Sequence, residues 1–366
     1  MYRTNLKLLN VYLILSVLTA VSCSSVTGDS DSTVVEGEDS EWLIPSDEVL
    51  VGAGRDAIPE ISNPNFSPVH EVDFLEPDEL IIGIKIGSEI RAYPHRVMNY
   101  HEIVNDRIED VSVAITFCPL TGSALAWDRV IDGEETTFGV SGLIFRNNLI
   151  AYDRATNNHW SQMKATSVKG TLREEHPDSY HLIEMTWESW KEAFPESKVL
   201  NTRTGFSRNY GFYPYGRNYS SDNNNILFPV NKEDDRLEKK ALAHGIFYNS
   251  SLHVFPVDYF PEEIGLIQQK LGGQDVVIAG SSKHELVVSF SRVLKGGTEL
   301  HFQNTTEKFP ALMEDEEGNV WNVFGECISG PREGERLDHV PSYNAYWFAW
   351  VDFFGSGPRS PIIIFP

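Results

Sequence analysis

Gly83-Ile84-Lys85-Ile86-Gly87-Ser88-Glu89-Ile90-Arg91-Ala92-Tyr93-Pro94 decides how this chain is built, because its pattern returns 162 residues later. Gly245-Ile246 opens the second occurrence and Leu252-His253-Val254-Phe255-Pro256 closes it. Working outward, Asp110-Val111 returns as Asp275-Val276, Arg129-Val130 as Arg292-Val293 and Trp160 as Trp321. Trp187, Trp190 and Phe194 return as Trp347, Trp350 and Phe354, all shifted by 160. Internal repetition sets architecture before any local reading does. The expectation is a β-rich α+β fold: two tandem repeats of a strand-hairpin/helix/strand unit, packed with pseudo-twofold symmetry. The first unit with its leader covers 46–200, an aromatic linker 201–235 and the second unit 236–366.

Local signals fill in the unit. Residues 80–87 alternate branched apolar side chains and turn at Gly87-Ser88, which predicts a hairpin. Val97, His101 and Val104 share one face of a short helix after Pro94. In the second unit, Pro261 opens a helix carrying Ile264, Ile267 and Leu271, closed by Gly272-Gly273. Residues 111–117 form a continuous apolar strand that breaks at Cys118-Pro119-Leu120-Thr121-Gly122, and 124–130 form the next. Asp132-Gly133 and Gly296-Gly297 mark hairpin turns. Thr186 is an N-cap for a helix with Trp187, Trp190 and Phe194 on one face. Residues 209–216, rich in aromatic and turn residues, read as an ordered belt.

The N-terminus is a targeting segment. Arg3 and Lys7 precede the apolar run 11–18, then small residues and Cys23. Such a run is too short for a permanent membrane helix and reads as a signal peptide over 1–23. Ala20-Val21-Ser22-Cys23 is a lipobox-like ending, so Cys23 is the expected lipidation site. Residues 24–45 form an acidic disordered tether. The chain is then exported and anchored to the cell envelope through lipid, and Ser24 points to the outer membrane. A net charge of −23 repels phosphate backbones, which argues against nucleic acid as a partner. Three Cys make no disulfide framework, so the core holds by packing.

Several motifs together resemble a bacterial family, the domain of unknown function 3179. They are Ile58-Pro59 to Asn63-Pro64, Arg91-Ala92-Tyr93-Pro94 with 101–106, and 117–124. Phe138 to Gly142, Phe228-Pro229-Val230, Asp235-Arg236-Leu237 and 346–350 belong to the same set, spanning roughly 55–356. The resemblance brings no established reaction. Members often carry a second Cys where this chain has Thr121, so a two-thiol centre is not implied here.

The chemistry sits in one unit only. Shifted by 162, His101 falls on Glu263 and Cys118 near Gly280-Ser281. Cys118, at the break of a buried strand, is a candidate nucleophile or soft metal ligand. His101 is a candidate base, with Glu102 or Asp128 to orient it. His101, Cys118, Ser123 and Arg129 would line a pocket for a small ligand. Cys118, His101 and His95 would hold a copper or iron ion, with Met98 as a remote fourth ligand. Against these stand plainer roles: Cys118 as a small buried hydrophobe, and Asn105-Asp106 as a turn. Asp128-Arg129 and Asp153-Arg154 would brace strand ends, Cys327 would pack, and His95 and His159 would lie at the surface. No phosphate loop, dinucleotide fingerprint, zinc helix or serine elbow is present. A binding or sensing lipoprotein is preferred to a cysteine-nucleophile enzyme or an envelope module without a site.

Lipidation at Cys23 has a direct check. Processing should be blocked by globomycin, and Cys23→Ala should release the protein from the detergent phase. Equal partitioning of both proteins would remove the anchor.

Overall fold

A computed structural model describes residues 41–216, 218–248, 251–355 and 362–365. Residues 1–40, with Cys23 and nearly all of the expected tether, lie outside the described residues. Trp42 and Ile44, assigned to the tether from composition, are instead buried in a core, and Leu43 N–H donates to the Val168 carbonyl at 2.8 Å. The described residues fall into one compact unit. No described helix is long and apolar enough to cross a membrane.

The fold is β-rich α+β. Leu80–Ile86 and Glu89–Pro94 form the first hairpin, pairing Ile86 with Glu89 across Gly87, which lies at φ 57°. Ile183–Thr186 runs antiparallel on one side and Lys198–Leu200 parallel on the other, with Phe66–Pro68 at the edge. The second hairpin, Leu242–Tyr248 with Ser251–Pro256, has Ser342–Tyr346 antiparallel on one side and Ile362–Ile364 parallel on the other. Behind each hairpin stands a three-strand antiparallel meander. The first is Ile103–Ile108, Val111–Cys118 and Ser123–Asp128; the second is Gly265–Leu271, Gln274–Ser281 and Leu286–Ser291. Curled antiparallel sheets over 138–169 and 302–329 complete the layers.

Each curled sheet is pinned by a buried ion–indole contact. Trp160 Nε1 donates to Asp153 Oδ2 at 3.0 Å, and Trp321 Nε1 donates to Asp315 Oδ2 at 3.0 Å. Both carboxylates are sealed from solvent, so these bonds satisfy charges that would otherwise be costly to bury.

Two helices close the layers. Thr186 caps Trp187–Ala193 as expected, its Oγ1 accepting from Ser189 N–H at 3.4 Å. Trp347–Phe354 is the other, buried at seven of its eight positions. Trp190 lies across Gly83 so closely that a Cβ there would sit 2.1 Å from its ring; Trp350 lies across Gly245 at 2.6 Å. Trp187 and Trp190 share a core with Val277, Ala279, Val288 and Phe290 of the second meander. Trp347 and Trp350 share one with Phe145, Ile150 and Val168 of the first curled sheet. The two halves are interlocked.

Three local expectations are corrected. Residues 265–271 are a strand, not a helix: the Gly272-Gly273 turn, at φ 55° and 103°, folds the segment back onto Gln274–Ser281. The helix after Pro94 ends at Met98, so Val104 belongs to a strand. Asn105 and Asp106 are not a turn but strand residues, the reversal falling at Glu109-Asp110 with Glu109 at φ 51°. The belt is ordered where described and free of regular structure, with Tyr210 and Tyr219 buried.

Gly83→Ala and Gly245→Ala should each lower stability by about 1–3 kcal/mol, since a rigid indole must shift to admit the methyl group. Urea unfolding measures this. A neutral effect at either position would show that the helix does not press on its hairpin.

Candidate functional site

Cys118 ends the strand Val111–Cys118 at a tight turn. Gly122 N–H donates to the Cys118 carbonyl at 2.9 Å, with Gly122 at φ 62°. A Cβ on Gly122 would meet the Tyr346 ring at 2.9 Å, so glycine there admits both the turn and the ring. The thiol is buried and approaches the Asn147 carbonyl at 3.6 Å. Burial and the nearby Glu102 carboxylate push it up to about 11, so at neutral pH it is an inert thiol rather than a thiolate.

Glu102 is the more unusual residue. Its backbone is left-handed at φ 58°, its side chain is buried, and its Oε1 accepts from Tyr215 O–H at 3.0 Å. Burial raises its carboxyl to about 7, and the tyrosine bond only partly offsets that. Tyr213, Tyr215 and Tyr219 form a ring cluster over this corner.

The structure separates most of the other predicted residues. His101 is buried, with Nδ1 on the Pro59 carbonyl at 2.7 Å and Nε2 on the Tyr210 hydroxyl at 2.6 Å. Both nitrogens are therefore engaged away from Cys118, and no Cys–His dyad forms. Ser123 belongs to a buried amide–hydroxyl network, donating to Gln162 Oε1 at 2.7 Å and accepting from Asn148 at 3.2 Å. Arg129 is spent on the Thr136 and Asp106 carbonyls and on Glu135. Asp128 takes Tyr180 O–H at 2.6 Å and the Val130 N–H, so it does not pair with Arg129. Asp153 and Arg154 diverge likewise, Arg154 reaching Asp56 and Glu60.

His95, expected at the surface or on a metal, is half-buried, contacts Glu184 at 2.8 Å and packs at a tilt against the Phe117 ring. His159 is half-buried as well, and burial lowers it to about 4. Cys327 packs in a core as expected. Cys118, His101 and His95 do not converge, nor is any group of three His, Cys, Asp or Glu side chains placed to hold a metal among the described residues.

A different space opens at the seam of the halves. A cavity of about 720 Å³ lies between Ser123–Asp128 and Ser179–Tyr180 on one side and Leu242–Tyr248, Leu286–Ser291 and Ser342–Tyr346 on the other. Leu125, Met163, Leu182, Phe247 and Val287 supply apolar wall. His181, His244 and His339 also line it. His181 and His339 stack with ring centroids 3.5 Å apart, and His181 Nε2 and His339 Nδ1 are buried without a hydrogen-bond partner among the described residues. His244 is held by Asn344 at 2.9 Å and Ser289 at 3.0 Å. Burial lowers His244 to about 4 and His339 to about 3, and drives His181 well below the ordinary imidazole range, so all three are neutral at pH 7. Sequence reasoning missed all three histidines. None belongs to a motif, and only the interlocking brings them together.

With this geometry in hand, the match of the chain to a known protein family can be placed. Residues 55–357 match the family described as a protein of unknown function, DUF3179. The chain belongs to that family. No curated protein and no solved structure matches it. The matched span takes in both hairpins, both meanders and all of the cavity wall except Leu43, so the DUF3179 fold is the interlocked body itself.

Glu102 gives a signed pH prediction. Its folded value near 7 lies above the ordinary carboxyl value, so its stabilising effect is full below about pH 4.5 and is lost as pH rises towards 7. Glu102→Gln should remove that slope and gain on the order of 3 kcal/mol relative to the unchanged protein at pH 8. Denaturant unfolding between pH 4.5 and 8 would reveal it; parallel curves would mean that the carboxyl is not held in its neutral form. In the same samples the Cys118 thiol should alkylate only on unfolding.

Proposed function

We propose that this DUF3179 protein binds a small organic molecule in the cavity between its halves. The observation that carries the reading is the stacked His181–His339 pair on the cavity wall, in which His181 Nε2 and His339 Nδ1 are buried without a partner among the described residues while His339 Nε2 faces Arg336 at 3.3 Å. Buried polar atoms are nearly always hydrogen-bonded, so a bound molecule that supplies the missing partners accounts for the pair. The volume, about 720 Å³, is in the range of small-molecule pockets. A binding protein is retained as the proposal, with the seam cavity in place of a Cys118/His101 pocket. A cysteine-nucleophile enzyme is not favoured, because the thiol is protonated and His101 is occupied. A copper or iron ion at Cys118, His101 and His95 is not favoured either.

The proposal has two further parts. The protein is exported and tethered to the envelope through lipid on Cys23, as the 1–23 segment suggests. The body is an internal duplication with pseudo-twofold symmetry, copies 46–200 and 236–366 joined by 201–235. Matching strand orders around the two hairpins support it, as do the Asp153–Trp160 and Asp315–Trp321 bonds.

The neutral dye Nile red tests the cavity. It should bind saturably with a blue-shifted emission, and Ser342→Trp, which puts an indole on the wall, should weaken it about tenfold or more. Absent binding, or equal binding to both proteins, would leave the envelope module without a site as the better reading.

A further inference from the structure

Lys164 stands on the cavity wall, half-buried, and its amine makes no hydrogen bond or ion pair among the described residues. Other lysines of this acidic chain also lack an ion pair among the described residues, but Lys164 is the lysine that lines the cavity. The charges that act on its ammonium are Arg146 and Lys232, both positive, and they add to the cost of burial. Arg146 is already bound to Glu48 at 2.7 Å and to the Asp352 carbonyl at 2.6 Å. Lys232 feels Asp352 and Glu48 without a direct ion pair to either. Of the acids on the wall, Glu184 is held by His95 and Asp178 is solvent-exposed. An uncompensated cation at a partly desolvated site is unfavourable until an anion reaches it.

Apart from these two acids, the rest of the wall is apolar or neutral. Leu125, Met163, Leu182, Phe247 and Val287 offer no partner to a hydrophilic ion, and the three histidines carry no charge. A small hydrophilic anion would leave this surface bare, and a neutral or cationic molecule would leave Lys164 unpaired.

We propose that the ligand of the cavity is an amphipathic organic anion, with its negative group at Lys164 and its hydrocarbon body along Leu125, Met163, Leu182, Phe247 and Val287. This rests on the small-molecule reading above and narrows it to one charge class. Charge-assisted hydrogen bonds are the stronger kind, so the ammonium discriminates between an acid and the alcohol of equal length.

Decanoate and decan-1-ol are the probes, titrated calorimetrically into the folded chain with Nile red as reference. Decanoate should bind one to one and at least about tenfold tighter than the alcohol. Lys164→Gln should weaken decanoate by about tenfold while leaving decan-1-ol and Nile red unchanged, and Lys164→Arg should bind decanoate like the unaltered protein. Unchanged Nile red binding certifies that the variants are folded. Equal affinity for acid and alcohol, or no loss in Lys164→Gln, overturns the charge assignment. Nile red binding without decanoate binding also overturns it and leaves the cavity reading standing, whereas failure of all three probes removes both.

Discussion

The structure depends on the seating of two tryptophan helices in cores that the halves share. Trp190 presses on Gly83 from its own hairpin and packs into the second meander, while Trp350 presses on Gly245 and packs against the first curled sheet. Large aromatic side chains dominate core energetics because each removes so much apolar surface from water. Placing them across the seam ties the halves more firmly than a surface contact would. The cavity follows from this arrangement: strands from both halves approach without closing completely, and the gap is walled by their edges and by 163–166.

Burial also governs the chemistry. A thiol and three imidazoles are held in their uncharged forms near neutrality and the Glu102 carboxyl is raised to about 7, each because the desolvation of the charged form outweighs the partners available. For Cys118 this removes nucleophilicity. For the histidines it has the opposite value, since a neutral imidazole offers both a donor and an acceptor to a bound molecule. Lys164 differs from these groups: it stands on the cavity wall without a hydrogen-bond or ion-pair partner among the described residues, and the charges acting on it, Arg146 and Lys232, are positive.

Much of the architecture was legible in the sequence because it rests on short-range signals. The Gly-to-Pro hairpins, the Thr186 cap, the Asp132-Gly133 turn and the aromatic belt each announce themselves within a few residues. Residues 261–271 misled because Ile264, Ile267 and Leu271 fit a helical period, whereas pairing to Gln274–Ser281 outweighed it. Asn105 and Asp106 resembled turn residues because their side chains are polar, yet each has a buried duty: Asn105 brackets the Phe138 backbone, and Asp106 accepts from Arg91 and Tyr93. The candidate site was legible only in part. The sequence pairs Cys118 with His101, whose two nitrogens are engaged elsewhere, and offers Glu102 only to orient His101, yet Glu102 is the charge that acts on the Cys118 thiol. His181, His244 and His339 left no local trace, because their meeting is a property of the interlocked halves rather than of any segment.

Interlocking also sets an order of events in synthesis. When residue 200 leaves the ribosome, Trp187 and Trp190 have their own hairpin but not Val277, Ala279, Val288 and Phe290, which are still to be made. Phe145 and Ile150 likewise wait for Trp347 and Trp350, about two hundred residues downstream. The N-terminal half therefore carries unfilled apolar surface until residues 277–290 and 347–350 have been made, the condition in which chains aggregate or engage chaperones. The helix Trp347–Phe354 is the one that lets the first half close.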